Sequence, residues 1–178
     1  MTHAVSMRPR SWALVVCSLI LIAVSVRAAI YELTVAFEGV SPSDAWLAVG
    51  ASTLSAVVGL VFLAWAARLK PTVLSWLAAF GWGTGGALIF AGYGNGVIDS
   101  AVEASNLSDE AVDFVTSVLT GPIVEETGKG IGVLALILAA RKVLDRPAQG
   151  GVLGALVGLG FAWGEDVGYY VSALENGM

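Results

Sequence analysis

Four stretches without a single charged residue run through this chain, from Ser11 to Val26, Ala45 to Ala67, Pro71 to Ile98 and Pro147 to Gly164. Each is near or above the roughly 18 apolar residues that suggest a membrane-spanning helix. Charged residues make up only 13% of the 178 positions and hydrophobic residues 57%, whereas a soluble domain carries about 25% charge. The fold class expected is all-α, a polytopic transmembrane helical bundle forming a single membrane domain over 1–178. Its five spans are placed at about 12–30, 45–68, 72–93, 122–140 and 150–171, with the lipid bilayer as solvent.

The charges are sorted by membrane side. Of the nine basic residues, all but Arg27 and Lys129 fall at one end of these spans, namely Arg8, Arg10, Arg68, Lys70, Arg141, Lys142 and Arg146. The positive-inside rule assigns that end, and the N-terminus, to the cytoplasm. The opposite connections carry Glu32, Glu38, Asp44, Asp99, Glu103, Asp109, Glu110 and Asp113. The net charge of -5 and pI near 4.7 therefore describe membrane sidedness, and no nucleic-acid partner is expected. The first apolar run, though it follows Arg8 and Arg10 like a signal peptide, is read as a retained span because later segments need one to orient them. The lone cysteine, Cys17, excludes an internal disulfide and is read as a small core residue.

In the long connection after Gly94, Ser108 reads as an N-cap, with Asp109 and Glu110 in the first turn and Ala111, Phe114, Val115 and Val118 on one face. This predicts an outer interfacial helix over 108–119. Glycines at spacing four, Gly150, Gly154 and Gly158 on one face and Gly160, Gly164 and Gly168 on another, predict seams where helix backbones approach closely.

Chemistry concentrates in the last two spans. The fourth contains Pro122-Ile-Val-Glu125-Glu126-Thr-Gly-Lys129, and the fifth contains Phe161-Ala-Trp-Gly-Glu165-Asp166. A charge at the bilayer centre costs about 2.5 to 3.5 kcal/mol, so such groups must pair or face a polar cavity. At about 100° per residue Lys129 projects between Glu125 and Glu126, one turn deeper, and can offset either carboxylate. Counting about 1.5 Å per residue, Glu165 lies roughly 22 Å along its span and Glu125 about 4 to 5 Å below the outer edge, so both acidic pairs fall in the outer half of the membrane. Carboxylates are hard oxygen ligands, and catalytic zinc also accepts Asp or Glu alongside histidine, so a divalent metal that activates water is expected here, with zinc the metal considered first. A carboxylate not used for ligation would act as general base and Lys129 as electrostatic stabiliser. Two other classes stay open: a proton- or cation-coupled membrane carrier, since buried acids also mark ion pathways, and a non-catalytic membrane binding protein.

The two motifs together resemble the PrsW family of intramembrane metalloproteases, related to the CAAX-processing proteases. Glu125, Glu126 and Lys129 match its E-E-x-x-K motif, and Phe161 and Glu165 its F-x-x-x-E motif. Asp166 stands where the family often has Asn or Asp. The resemblance implies peptide-bond hydrolysis of a membrane protein or peptide near the outer leaflet of a bacterial plasma membrane. On it, Glu125, Glu126 and Lys129 are catalytic, and Glu126, Glu165 and Asp166 are candidate metal ligands. The family pattern continues into a later helix carrying a histidine, and the one histidine here is His3, expected on the cytoplasmic side. The chain then reads either as an incomplete version of a longer protein or as a shortened relative that lacks a ligand and is inactive.

Overall fold

A computed structural model describes residues 12–66, 72–141, 144 and 146–177. Arg8, Arg10, Arg68, Lys70, Lys142 and His3 lie outside the described residues. Every regular element among those described is helical, which bears out the all-α class. The order is α1 (Trp12–Ala36), α2 (Pro42–Ala66), α3 (Val73–Gly81), a π-helical turn (Trp82–Ala87), α4 (Leu88–Glu103), α5 (Asp109–Asp113), a second π-helical stretch (Phe114–Thr120), α6 (Gly121–Ala140) and α7 (Pro147–Glu175).

Local chemistry sets several of these ends. Gly39, with φ of 81°, takes the left-handed conformation that closes α1. Two residues later the Ser41 hydroxyl accepts the Asp44 N–H at 3.2 Å, and Pro42 occupies the first position of α2, where its missing N–H costs nothing. Thr72 caps α3 by accepting the Ser75 N–H at 3.3 Å. Ser108 caps α5 as its position predicts, accepting the Ala111 N–H at 3.4 Å.

Trp12–Ala36, Pro42–Trp65 and Val73–Glu103 are long and apolar enough to cross a membrane. With 20 and 29 residues, α6 equals a bilayer core of about 30 Å in length and α7, at about 44 Å, exceeds it. The acids and the lysine they carry make them less apolar than the first three. The third helix runs ten residues past the expected boundary at 93, to Glu103. Gly92, Gly94 and Gly96 all stay helical, because glycine weakens a helix without stopping it.

The segment expected as a separate interfacial helix over 108–119 instead runs without interruption into α6. Pro122 lacks an N–H and crowds the carbonyl four residues back. The π-helical stretch Phe114–Thr120 immediately before it widens the turn, and the Thr120 hydroxyl donates to the Val115 carbonyl at 3.1 Å. The helix therefore absorbs the proline and continues.

The centre of the bundle is α7, which touches α1, α2, α3, α4, α6 and the first π-helical turn. Leu153, Leu156 and Val157 of α7 are buried against Leu14 and Leu21 of α1, Ala78 and Ala79 of α3, and Leu136 and Ala140 of α6. Where α3 passes into the π-helical turn, the two backbones meet directly. A Cβ on Gly83 would strike the Val157 carbonyl, and one on Gly160 would strike the Phe80 carbonyl. Among the described residues α2 packs on α7 alone, and a 3.1 Å hydrogen bond from the Trp163 indole N–H to the Thr53 hydroxyl joins the two helices.

The expected glycine seams form only in part. Gly160 meets Phe80, Gly164 meets Leu88, and Gly150 faces Ile137, but nothing lies within 4 Å of a Cβ placed on Gly154, Gly158 or Gly168. Replacing Gly160 with leucine is expected to destabilise the protein by at least the 1 to 3 kcal/mol typical of overpacking, about an order of magnitude in folding equilibrium or more. Gly92→Ala, at a site with open space, should be nearly neutral. Thermal unfolding of the detergent-solubilised protein separates the two; equal melting would contradict the backbone crossing.

Candidate functional site

Lys129 organises the polar centre. Its ammonium lies 2.8 Å from Glu126 Oε1 and 3.5 Å from Glu125 Oε2, one helical turn away on α6. The sequence spacing anticipates this forked pairing. The two partners differ in setting: the Glu125 side chain is 29% exposed, that of Glu126 73%, and that of Lys129 only 18%. Glu125 therefore faces the bundle and Glu126 faces out of it.

The second motif meets the first through Phe161. Its ring, buried to 2%, lies under the Lys129 ammonium at 3.9 Å from the centroid, a cation–π contact that strengthens where water is excluded. One turn further along α7, Glu165 is partly buried. Contact across the helices thus brings the two motifs to one level of the bundle. Counting residues from Pro122 could not establish this, because the helix carrying Glu125 begins at Asp109.

Three glycines and an indole hold α6 at this distance. Gly128 lies against Phe90 and Ala87, and Gly132 lies against the Trp82 ring. The Trp82 indole N–H donates to the Gly128 carbonyl at 2.9 Å, one residue before Lys129. Trp82 sits in the π-helical turn, and Gly86, also in that turn, packs beneath its ring. Sequence reasoning passed over this tryptophan; the signal was a large ring with an N–H set among Gly81, Gly83, Gly85 and Gly86, where only a partner helix could occupy the space.

Beside Lys129 a groove of about 520 Å³ runs down between α6 and α7, lined by Glu126, Lys129, Gly130, Val133, Leu134, Ile137, Gly154 and Gly158. The face of α7 expected to close as a seam at Gly154 and Gly158 is instead open.

Residues 71–178, more than half of the chain, match the family model described as PrsW family intramembrane metalloprotease. The chain belongs to the PrsW family. The match begins at the start of α3, well before the two motifs that carry the resemblance in sequence, so it takes in α3, the π-helical turn and α4 as well. No curated protein and no solved structure matches the chain.

The PrsW description implies a metal. Carboxylate oxygens suit a hard divalent ion in kind, but their placement does not supply a full set. Glu126 pairs with Lys129 while facing out of the bundle, and Glu165 and Asp166, adjacent on one helix, point about 100° apart. Among the described residues no group of three or more His, Cys, Asp or Glu side chains could hold a metal ion. The expected ligands Glu126, Glu165 and Asp166 are therefore not gathered as one donor set. What the structure does bring together is Glu125, Lys129 and Phe161, with Glu165 one turn beyond Phe161 on α7.

Trp82→Phe keeps an aromatic ring at this position and removes the indole N–H. It should cost at least about 0.5 to 1.5 kcal/mol, the usual worth of one hydrogen bond, read as a lowered midpoint in thermal unfolding. An unchanged midpoint would mean that the indole does not anchor α6.

Proposed function

We propose that this chain hydrolyses peptide bonds of membrane proteins near the outer leaflet of a bacterial plasma membrane, as a multi-pass enzyme with Glu125, Lys129 and Glu165 at its centre. Membership of an intramembrane protease family supports the reaction class. The observation that carries the site is the convergence of both motifs on Lys129, which pairs with Glu125 and sits over Phe161, one turn before Glu165 on α7.

The chain's own groups supply a coherent role for each position. Glu125 faces inward and takes the proton of a water as its oxygen bonds to the scissile carbonyl carbon. The Lys129 ammonium stabilises the negative charge that develops on the carbonyl oxygen. When the C–N bond breaks, the proton held on Glu125 passes to the departing amine. Glu165 completes the polar lining and orients the water. Zinc, the metal favoured from sequence, is implied by the family and not by the placement of these side chains, and no step here depends on it.

A second reading, a non-catalytic membrane binding protein, is favoured by the lack of a three-donor group among the described residues. Cleavage of a membrane-tethered substrate by the purified protein in liposomes separates the two. Glu125→Gln and Glu165→Gln should each lower the rate at least about 100-fold, the scale of a lost general base. Glu126→Gln, at the exposed position, should lower it less than about tenfold. Full activity in Glu125→Gln would remove that residue from the role of base, and binding without turnover would support the second reading.

A further inference from the structure

The amide oxygen of Asn95, on α4, is shut off from solvent and has no hydrogen-bond partner among the described residues. A buried acceptor left unpaired is costly, and one kept in a folded protein calls for a donor from elsewhere, a water or a ligand. An asparagine that served the fold alone would pair its oxygen within the protein, as Trp163 and Thr53 pair across α7 and α2. What stands near this oxygen follows from the packing of α4 on α6.

The two helices run antiparallel. Gly128 of α6 lies against Ala87, the residue before α4, and Val124, one turn earlier in α6, lies against Gly94, two turns later in the other strand of the pair. Between antiparallel right-handed helices, the residues that follow two contacting residues turn to the same side of the interface. At the first contact these are Leu88 and Lys129, and both turn to α7: Leu88 packs on Gly164, and Lys129 lies over the Phe161 ring. At the second contact they are Asn95 and Glu125. Asn95 stands two turns beyond Leu88 and Glu125 one turn before Lys129, so each shares the face of its counterpart. Asn95 and Glu125 therefore flank one corner, where α4, α6 and α7 meet.

We propose that Asn95 is a further residue of the hydrolytic site: its amide oxygen and the Glu125 carboxylate hold one water between them, the molecule that attacks the peptide bond. The nucleophilic role rests on the proposed protease activity, while the shared water is independent of turnover. A water has two O–H groups to donate, and these two acceptors take both, leaving a lone pair free for the scissile carbonyl carbon. As the O–C bond forms, the proton on the Glu125 side passes to that carboxylate and then to the departing amine. The proton on the Asn95 side stays on the oxygen and leaves with the new carboxyl group. Asn95 gains and loses no proton, which a neutral amide suits. It shares from α4 the orienting task given to Glu165 on α7.

The experiment uses the full chain in lipid nanodiscs. The sequence has three asparagines, Asn95, Asn106 and Asn176, so isotopic labelling of asparagine alone gives three side-chain amide signals, and that of Asn95 is the one lost in Asn95→Asp. A nuclear Overhauser effect from a long-lived water to the Asn95 amide is expected, and its loss in Glu125→Leu, which removes the second acceptor. No such water, or one retained unchanged in Glu125→Leu, overturns the proposal. Asn95→Leu, close to asparagine in size, should lower kcat at least about tenfold with KM within about twofold, as misplacement of a reacting group does. Its thermal midpoint should hold or rise, since an unpaired buried acceptor has been removed. A lowered midpoint with unchanged kcat assigns Asn95 to the fold and overturns the proposal. The shared water without cleavage by the unaltered chain sustains the site and fails the protease reading; cleavage without the water does the reverse.

Discussion

The crossing of α7 with the turn after α3 is the constraint from which the rest of this bundle follows. Gly83 and Gly160 let main chain rest on main chain, and no other residue type leaves that space. The contact fixes where Phe161 sits, one residue beyond Gly160, and Phe161 is the seat of Lys129. Shifting the crossing by a single side chain would carry the ring away from the ammonium and separate the two motifs. In a membrane, where burial from water supplies no drive between helices, such close approaches carry much of the cohesion.

The charged centre depends on the same geometry from the other side. The Trp82 indole, in the π-helical turn, reaches the Gly128 carbonyl of α6. Lys129 is thereby held between two carboxylates on its own helix and an aromatic face on the next. A buried charge without such partners would cost several kcal/mol; here the ammonium has three. The arrangement also divides the two adjacent glutamates, leaving Glu125 the more buried and Glu126 at the mouth of the groove. Residues consecutive in sequence therefore serve different surfaces of the protein.

Membership of the PrsW family and the placement of its acids stand in some tension over the metal. The family description names one, and the described carboxylates do not gather to hold it. The pairing of Glu125 with Lys129, over the Phe161 ring, is the polar arrangement that the described structure does hold.

Apolar run length alone determined the class, because a bilayer core of fixed thickness demands long helices and tolerates little charge in them. The forked pairing of Lys129 with Glu125 and Glu126 was equally legible, since spacings of three and four on a helix place side chains together whatever surrounds them. The separation of roles between the two glutamates was not, nor the unbroken helix through Pro122, nor the difference between glycines that close a contact and glycines that leave a groove. Each of these depends on what stands opposite a residue, and periodicity within one helix carries no information about its neighbour. Gly154 and Gly160 look alike in sequence; only the backbone of Phe80 against one, and empty space beside the other, tells them apart.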